Sequence, residues 1–181
     1  MTLCASEPIF TVCPEHRILP NQMVETDETY MDLALGAAVE AGRRGEVPIG
    51  ACVVGPAGEV LAVASNSPIE DSDPTAHAEI LALRGAALKV GNYRLTGCSV
   101  YTTIEPCVMC AGALVNARIE RLVYGAADER FGAVESRFRL CDDSSLNHAI
   151  EVVSGILEER CSELMSGFFE DLRSRKRKSS D

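Results

Sequence analysis

Two short segments, His77-Ala78-Glu79 and Pro106-Cys107-Val108-Met109-Cys110, constrain this chain most, because they carry complementary parts of one metal site and the fold must bring them together. His77, Cys107 and Cys110 are three ligands of the type zinc takes, and Glu79 is a carboxylate that the ligand set does not need. A structural zinc is closed by four protein groups, whereas a catalytic zinc has three and keeps its fourth position for water or substrate. The pattern is that of an open site. Each half alone says little: a Cys-x-x-Cys in an intracellular protein is as often a redox pair or half of a structural zinc site, and an isolated His-x-Glu is usually a surface pair. Their joint occurrence at two expected helix starts, with proline before the first cysteine, turns the reading toward catalytic zinc.

Local signals place both segments. Asp73 is a good N-cap and Pro74 is preorganised for a first helical position, so a helix is expected to open there and run through Arg84. On such a helix His77 and Glu79 are about 200° apart, and both reach one metal site only if the ion lies beyond the N-terminus, toward which side chains lean. Glu105-Pro106 opens a second helix in the same way, with Cys107 and Cys110 on one face. Two helix N-termini aimed at the site, together with the ion, would favour the thiolate form that binds metal.

The rest of the chain alternates helices and strands. Asp27 to about Gly42 repeats apolar positions at Met31, Leu35, Ala38 and Val39, an amphipathic helix stopped by Gly42 and Gly45. Ile49–Val54 and Val60–Ser65 read as strands split by the hairpin signal Gly55-Pro-Ala-Gly58. Ser99–Thr103, Ile119–Tyr124 and Glu151–Ser154 are further strands, and a long final helix runs from about Leu157 to Arg175. That order argues for one layered α/β domain over residues 26–178. Residues 1–25 contain three prolines and no sustained periodicity, and are expected to be a flexible extension.

Composition narrows the setting. A chain of 181 residues is one domain of ordinary size. No apolar run approaches a membrane span, and the start lacks the basic flank and apolar core of a signal peptide, so a cytoplasmic protein without membrane contact is expected. Besides the ligand pair, Cys4, Cys13, Cys52, Cys98, Cys141 and Cys161 are scattered without repeat and read as reduced thiols. The net charge of −10 opposes broad nucleic-acid affinity. It is uneven, however: residues 173–181 hold five basic residues and one acidic, a net of +4, which leaves −14 on the first 172. A basic helix end complements the macrodipole and is compatible with gripping an RNA stem, with Arg130, Arg137 and Arg139 able to extend the footprint.

The His-x-Glu…Pro-Cys-x-x-Cys pattern is the signature of zinc-dependent nucleobase deaminases. Asn66-Ser-Pro-Ile, Asp73-Pro-Thr-Ala-His-Ala-Glu-Ile, Asn92-Tyr-Arg-Leu, Glu105-Pro-Cys-Val-Met-Cys-Ala-Gly-Ala-Leu, Arg118-Ile, Tyr124-Gly-Ala, Gly132-Ala and Leu146-Asn-His narrow it further. From about residue 27 to about 175 the chain resembles the bacterial tRNA-specific adenosine deaminase family, of the cytidine/deoxycytidylate deaminase superfamily. The resemblance implies a three-layer α/β fold of cytidine-deaminase type, with a central five-stranded mixed sheet covered by helices. It implies a homodimer, one Zn²⁺ per subunit on His77, Cys107 and Cys110, and a tRNA anticodon arm as substrate. Its implied reaction is hydrolytic deamination of the wobble adenosine, position 34, to inosine. A zinc-activated water would attack C6, Glu79 would move the proton, and ammonia would leave.

The same resemblance puts Asn66 in the nucleobase pocket and Asp128 near the RNA backbone. Read without it, Asn66 caps a strand end and Asp128 is a solvated loop residue. Ala127 stands where the family often carries a basic residue. His148 reads as a loop residue and not a fourth ligand, since a fourth protein ligand would block the chemistry. Deamination of a free base or nucleoside of guanine or cytosine type would use the same zinc site, and a retired RNA-binding subunit or a thiol redox protein complete the alternatives.

Overall fold

The computed structural model of the chain describes residues 26–178; the segment 1–25, expected from sequence to be an extension, lies outside the described residues. Asp27–Arg43 forms α1, Gly50–Val54 β1, Val60–Ser65 β2, Ala78–Val90 α2 and Ser99–Ile104 β3. Val108–Ala117 forms α3, Arg121–Ala126 β4, Glu151–Ser154 β5 and Glu158–Lys178 α4. The strands join in the order β2-β1-β3-β4-β5. β1 is antiparallel to both β2 and β3, and β3, β4 and β5 run parallel. This is the mixed five-stranded sheet that the resemblance implied.

Period-two alternation decides which helices cover which face. Ala51 and Val53 of β1, Val100 of β3 and Leu122 and Tyr124 of β4 pack with Ala82, Leu83 and Ala86 of α2 and Ala111, Leu114 and Val115 of α3. The intervening Cys52, Val54, Tyr101 and Val123 pack on the other side with Tyr30, Met31, Ala34 and Leu35 of α1 and Cys161 of α4. The result is three layers, helices on both faces of one sheet.

Two contacts fix the outer helices. At the start of α1 the Asp27 carboxylate takes both Arg121 guanidinium donors, at 2.7 and 2.8 Å, and the Tyr101 hydroxyl at 2.9 Å, tying the helix to β3 and β4. Further on, a Cβ at Gly125 would overlap the Cys161 Sγ and the Thr103 carbonyl, so glycine is what lets α4 lie against β4. Among the strands the boundaries differ most at the fourth, expected at Ile119–Tyr124 and found two residues later. Ile119 is fully buried but lies in the connection from α3, where its carbonyl meets His148 Nε2 at 2.6 Å.

Candidate active site

Helix α2 begins at Ala78, four residues after the Asp73-Pro74 start expected from sequence. Asp73 spends its carboxylate on its own turn, accepting from the Thr75 amide and hydroxyl, both at 2.7 Å. His77 is instead the N-cap, with extended backbone and no side-chain capping bond, and the Ala78 amide it leaves open is taken by Asn66 Oδ1 at 3.0 Å. α3 repeats the device: its N-cap is Cys107, extended at φ −72° and ψ 174°, again without a side-chain cap. At both helix starts the residue that would ordinarily bond back to the helix keeps its side chain free to point beyond it.

Those two side chains meet. His77 Nδ1 lies 3.7 Å from Cys107 Sγ and 3.5 Å from Cys110 Sγ, and the three ligand atoms all fall within 4.8 Å of one another. With ordinary zinc bond lengths of about 2.05 Å to nitrogen and about 2.3 Å to sulfur, a tetrahedral site has an N···S edge of about 3.6 Å. The donor set and its spacing therefore fit zinc. Cys110 is fully buried, whereas His77 and Cys107 are half-buried, so the third side of the group opens outward.

The electrostatics suit a cation. The Cys110 thiol hydrogen-bonds to Cys107 and, despite burial, that bond and the neighbouring His77 bring the Cys107 thiol down to about 4. Cys110 moves the opposite way, because it keeps the proton the pair shares. A bound divalent ion would replace that proton, and both sulfurs would serve as thiolates. His77 is raised chiefly by its bond to Cys107. Glu79, 4% exposed, is raised by burial, against the opposing pull of its own backbone amide. A carboxyl group held above its usual range is what a proton carrier at neutral pH requires.

The group opens into a cavity of about 810 Å³. His77, Glu79 and Cys107 line its floor, Asn66 and Pro68 one side, Ala127 to Phe131 another, and Met165 and Phe169 of α4 a third. Residues 24–126 match the cytidine and deoxycytidylate deaminase zinc-binding region. Over 153 residues the chain is 48% identical to a tRNA-specific adenosine deaminase of Haemophilus influenzae, covering 84% of this chain and 88% of that one. The chain belongs to the tRNA-specific adenosine deaminase family. A solved structure from work on A-to-I editing by tRNA:A34 deaminases superposes with a TM-score of 0.72 at 47% identity, covering 75% of this chain and 97% of that one. The guanine deaminase of Nitrosomonas europaea shares the fold more distantly, with a TM-score of 0.68 at 25% identity over 78% of this chain and 83% of that one.

In this family member Asn66 both caps α2 and lines the cavity. Because the Ala78 amide must meet an oxygen, the amide group is oriented with Oδ1 toward α2, and its Nδ2 is the end not engaged by that bond. Asp128 also lines the cavity, but its Oδ1 accepts from the Arg130 and Phe131 amides at 2.9 and 3.1 Å and so shapes its own turn. Of the loop arginines, Arg130 reaches the cavity, whereas Arg139 pairs with Asp142 and Arg137 reaches back to the Glu129 carbonyl. His148 stands apart from the ligand group, as expected.

Sequence reading missed Glu105. By sequence it only opens the second helix, yet it is 2% exposed and accepts five hydrogen bonds from residues 128–136. Burial pushes its carboxyl up, but the amides of Glu135, Ser136 and Asp128 and the Ser136 hydroxyl outweigh that and hold it below the usual range. The only sequence signal was a carboxylate directly preceding the metal-ligand motif.

Proposed function

We propose that this protein hydrolyses the wobble adenosine of a tRNA anticodon to inosine, releasing ammonia. The observation that carries the reading is the convergence of His77, Cys107 and Cys110 beside a buried Glu79 in a cavity wide enough for a nucleobase, in a chain nearly half identical to a tRNA-specific adenosine deaminase. His77 Nδ1 and the two cysteine sulfurs would hold one Zn²⁺ per subunit. When bound through three protein ligands, zinc supplies Lewis acidity that lowers the pKa of water from 15.7 toward ~7.

The chain's own residues do the rest. Glu79 takes a proton of the attacking water and passes it to the ring nitrogen as C6 becomes tetrahedral, then takes the proton of the new C6 hydroxyl and delivers it to the amino group, which leaves as ammonia while C6 becomes a carbonyl. The balance is one adenosine and one water to one inosine and one ammonia. Burial of Glu79 keeps bulk water from taking the proton in transit. Asn66 Nδ2 is the donor available to the purine edge. Asp128 lines the cavity, and in this proposal its carboxylate accepts from a ribose 2′-hydroxyl and so favours RNA over DNA. Arg173, Arg175, Lys176 and Arg177, exposed at the end of α4, supply phosphate contacts that the acidic body lacks.

The protein works as a homodimer in the cytoplasm on this reading. Among the described residues no helix is long and apolar enough to cross a membrane. A second reading, deamination of a free base or nucleoside, draws on the likeness to the Nitrosomonas europaea guanine deaminase. One experiment separates the two: inosine formation in an unmodified adenosine-34 anticodon stem-loop, with free adenosine, guanine and cytosine in parallel, using zinc-loaded protein and its Glu79→Ala variant. Conversion of the stem-loop, lost in the variant, is expected; conversion of a free base alone would replace the proposal with the second reading. Light scattering on the same sample reads the assembly state, and a monomer active at full rate would remove the dimer from it.

A further inference from the structure

The wall of the cavity formed by residues 127–131 is not held by its own packing. Phe131 is 64% exposed, with the Arg130 guanidinium 5.7 Å from its ring centroid, and both face open space at the rim. The segment's turn is shaped by the Asp128 carboxylate, its far end is packed in the core through Ala133 and Val134, and one buried carboxylate behind it joins the two ends. Glu105 Oε1 accepts from the amides of Val134, Glu135 and Ser136 at 3.0, 2.8 and 2.9 Å. Its Oε2 accepts from the Asp128 amide at 3.0 Å and from the Ser136 hydroxyl. A single side chain thus gathers both ends of the segment 128–136 and leaves its middle to face the cavity. The backbone joins at the same place: the Ala133 amide donates to the Pro106 carbonyl at 2.8 Å, and Gly132 bridges to Cys107.

Burying an ionised carboxylate is costly unless its lone pairs are filled, and here amides and a hydroxyl of one loop fill them. The opposite wall uses the same arrangement on a smaller scale. Glu46, also 2% exposed, accepts from the amides of Ile69 and Glu70, both at 2.9 Å, beside the cavity residue Pro68.

We infer that Glu105 is a positioning residue for the nucleic-acid substrate: its carboxylate sets the 128–136 segment as the surface that receives the nucleotides flanking the target base. It acts on substrate binding and not on the chemical step. The inference rests on the RNA reading above. Loosening the segment makes the substrate order it at each encounter, and a lost charge-assisted network of this kind raises KM on the order of 10-fold.

Two variants disturb the clamp from opposite sides. Glu105→Gln keeps a carbonyl for the Val134 to Ser136 amides but turns an NH₂ toward the Asp128 amide. Gly132→Ala leaves the carboxylate intact, but its Cβ would overlap Glu105 Oε2 and the Asp128 carbonyl, forcing loop and carboxylate apart. With full-length, zinc-loaded protein and the adenosine-34 stem-loop, both are expected to raise KM about 10-fold. Both should leave kcat within about 3-fold and keep zinc content at the wild-type level, since neither substitution removes a ligand atom. Unchanged KM in both, a loss confined to kcat, or loss of zinc in both would overturn the inference, the last because Glu105 would then be serving the metal segment. If one variant fails to fold, the other decides. Amide hydrogen exchange supplies a readout without substrate: faster exchange confined to 128–136 is expected in both variants, and unchanged exchange overturns the clamp. A wild-type protein inactive on the stem-loop, with the segment loosened in the variants, would instead overturn the RNA reading alone.

Discussion

Asn66 offers the sharpest test of the proposed site, because its side chain caps a helix and, in the proposal, also meets the substrate. Replacing it with alanine strips the Ala78 amide of its acceptor at the buried start of α2. Losing a helix N-cap acceptor costs ~0.5–2 kcal/mol, and an unsatisfied buried amide costs ~1–3 kcal/mol. These overlap, so about 2 kcal/mol is expected in all, or a fall in Tm of roughly 4–8 °C for a domain of this size. Asn66→Asp separates the two functions. It keeps an oxygen for the amide, and its negative charge suits a helix N-terminus, so its Tm should stay within about 2 °C of wild type. It lacks the Nδ2 donor and adds a carboxylate to the cavity that holds Glu79. Both variants should therefore lose at least ~10-fold in kcat/KM on the stem-loop, since a lost hydrogen bond and its desolvation are together worth about 1.4 kcal/mol or more. The assay pairs thermal unfolding of zinc-loaded protein with single-turnover deamination. An alanine variant as stable as wild type would refute the capping argument, and a fully active aspartate variant would refute the donor.

Other perturbations test other parts of the structure. Glu79→Gln should cut kcat by ~10²–10⁴ while metal analysis still finds zinc, and its Tm should not fall, because the charge it removes is one that burial disfavours. Cys107→Ala, or a chelator on the wild type, should lower Tm, and in the wild type Tm should then rise with added zinc, as binding to the folded state alone requires. Asp27→Asn breaks the paired contact with Arg121 and the bond from Tyr101 and should cost ~1–3 kcal/mol in denaturant unfolding at neutral pH. The Asp27 carboxyl lies below its usual value, first because of the Arg121 hydrogen bond. Its contribution is therefore complete above the unfolded value of about 3.8 and is lost as pH falls through the folded one, so the gap between variant and wild type should close below about pH 4.

The elements themselves were legible wherever local pattern decides them. The Gly55–Gly58 hairpin and the strand Glu151–Ser154 fall where turn chemistry and alternation put them, and the metal-ligand triad converges as its spacing at two helix starts implied. The start of α2 was misplaced because two capping signals compete. Asp73 caps a tight turn of its own, and the acceptor that does start the helix, Asn66, comes from the end of another strand. No window around Pro74 contains that residue. Glu105 was overlooked for the same reason: its partners lie 23 to 31 positions later and meet it only once β4 has paired with β3. Asp128, by contrast, was read from sequence as either loop or RNA contact, and its side chain shapes the loop at the cavity rim.

The cavity divides into parts of very different mutability. Its floor is tied to the protein core, with the buried Glu79 on α2 and Cys107 at the start of α3, two helices whose apolar sides pack on the sheet. Its rim includes side chains such as Arg130, Phe131 and Phe169 that are exposed to solvent. Substitutions at exposed positions usually change stability by less than about 0.5 kcal/mol, whereas the floor has no such slack. A lineage, or a directed-evolution library, can therefore exchange rim residues almost freely and explore new nucleotide contexts while the hydrolytic centre below stays the same.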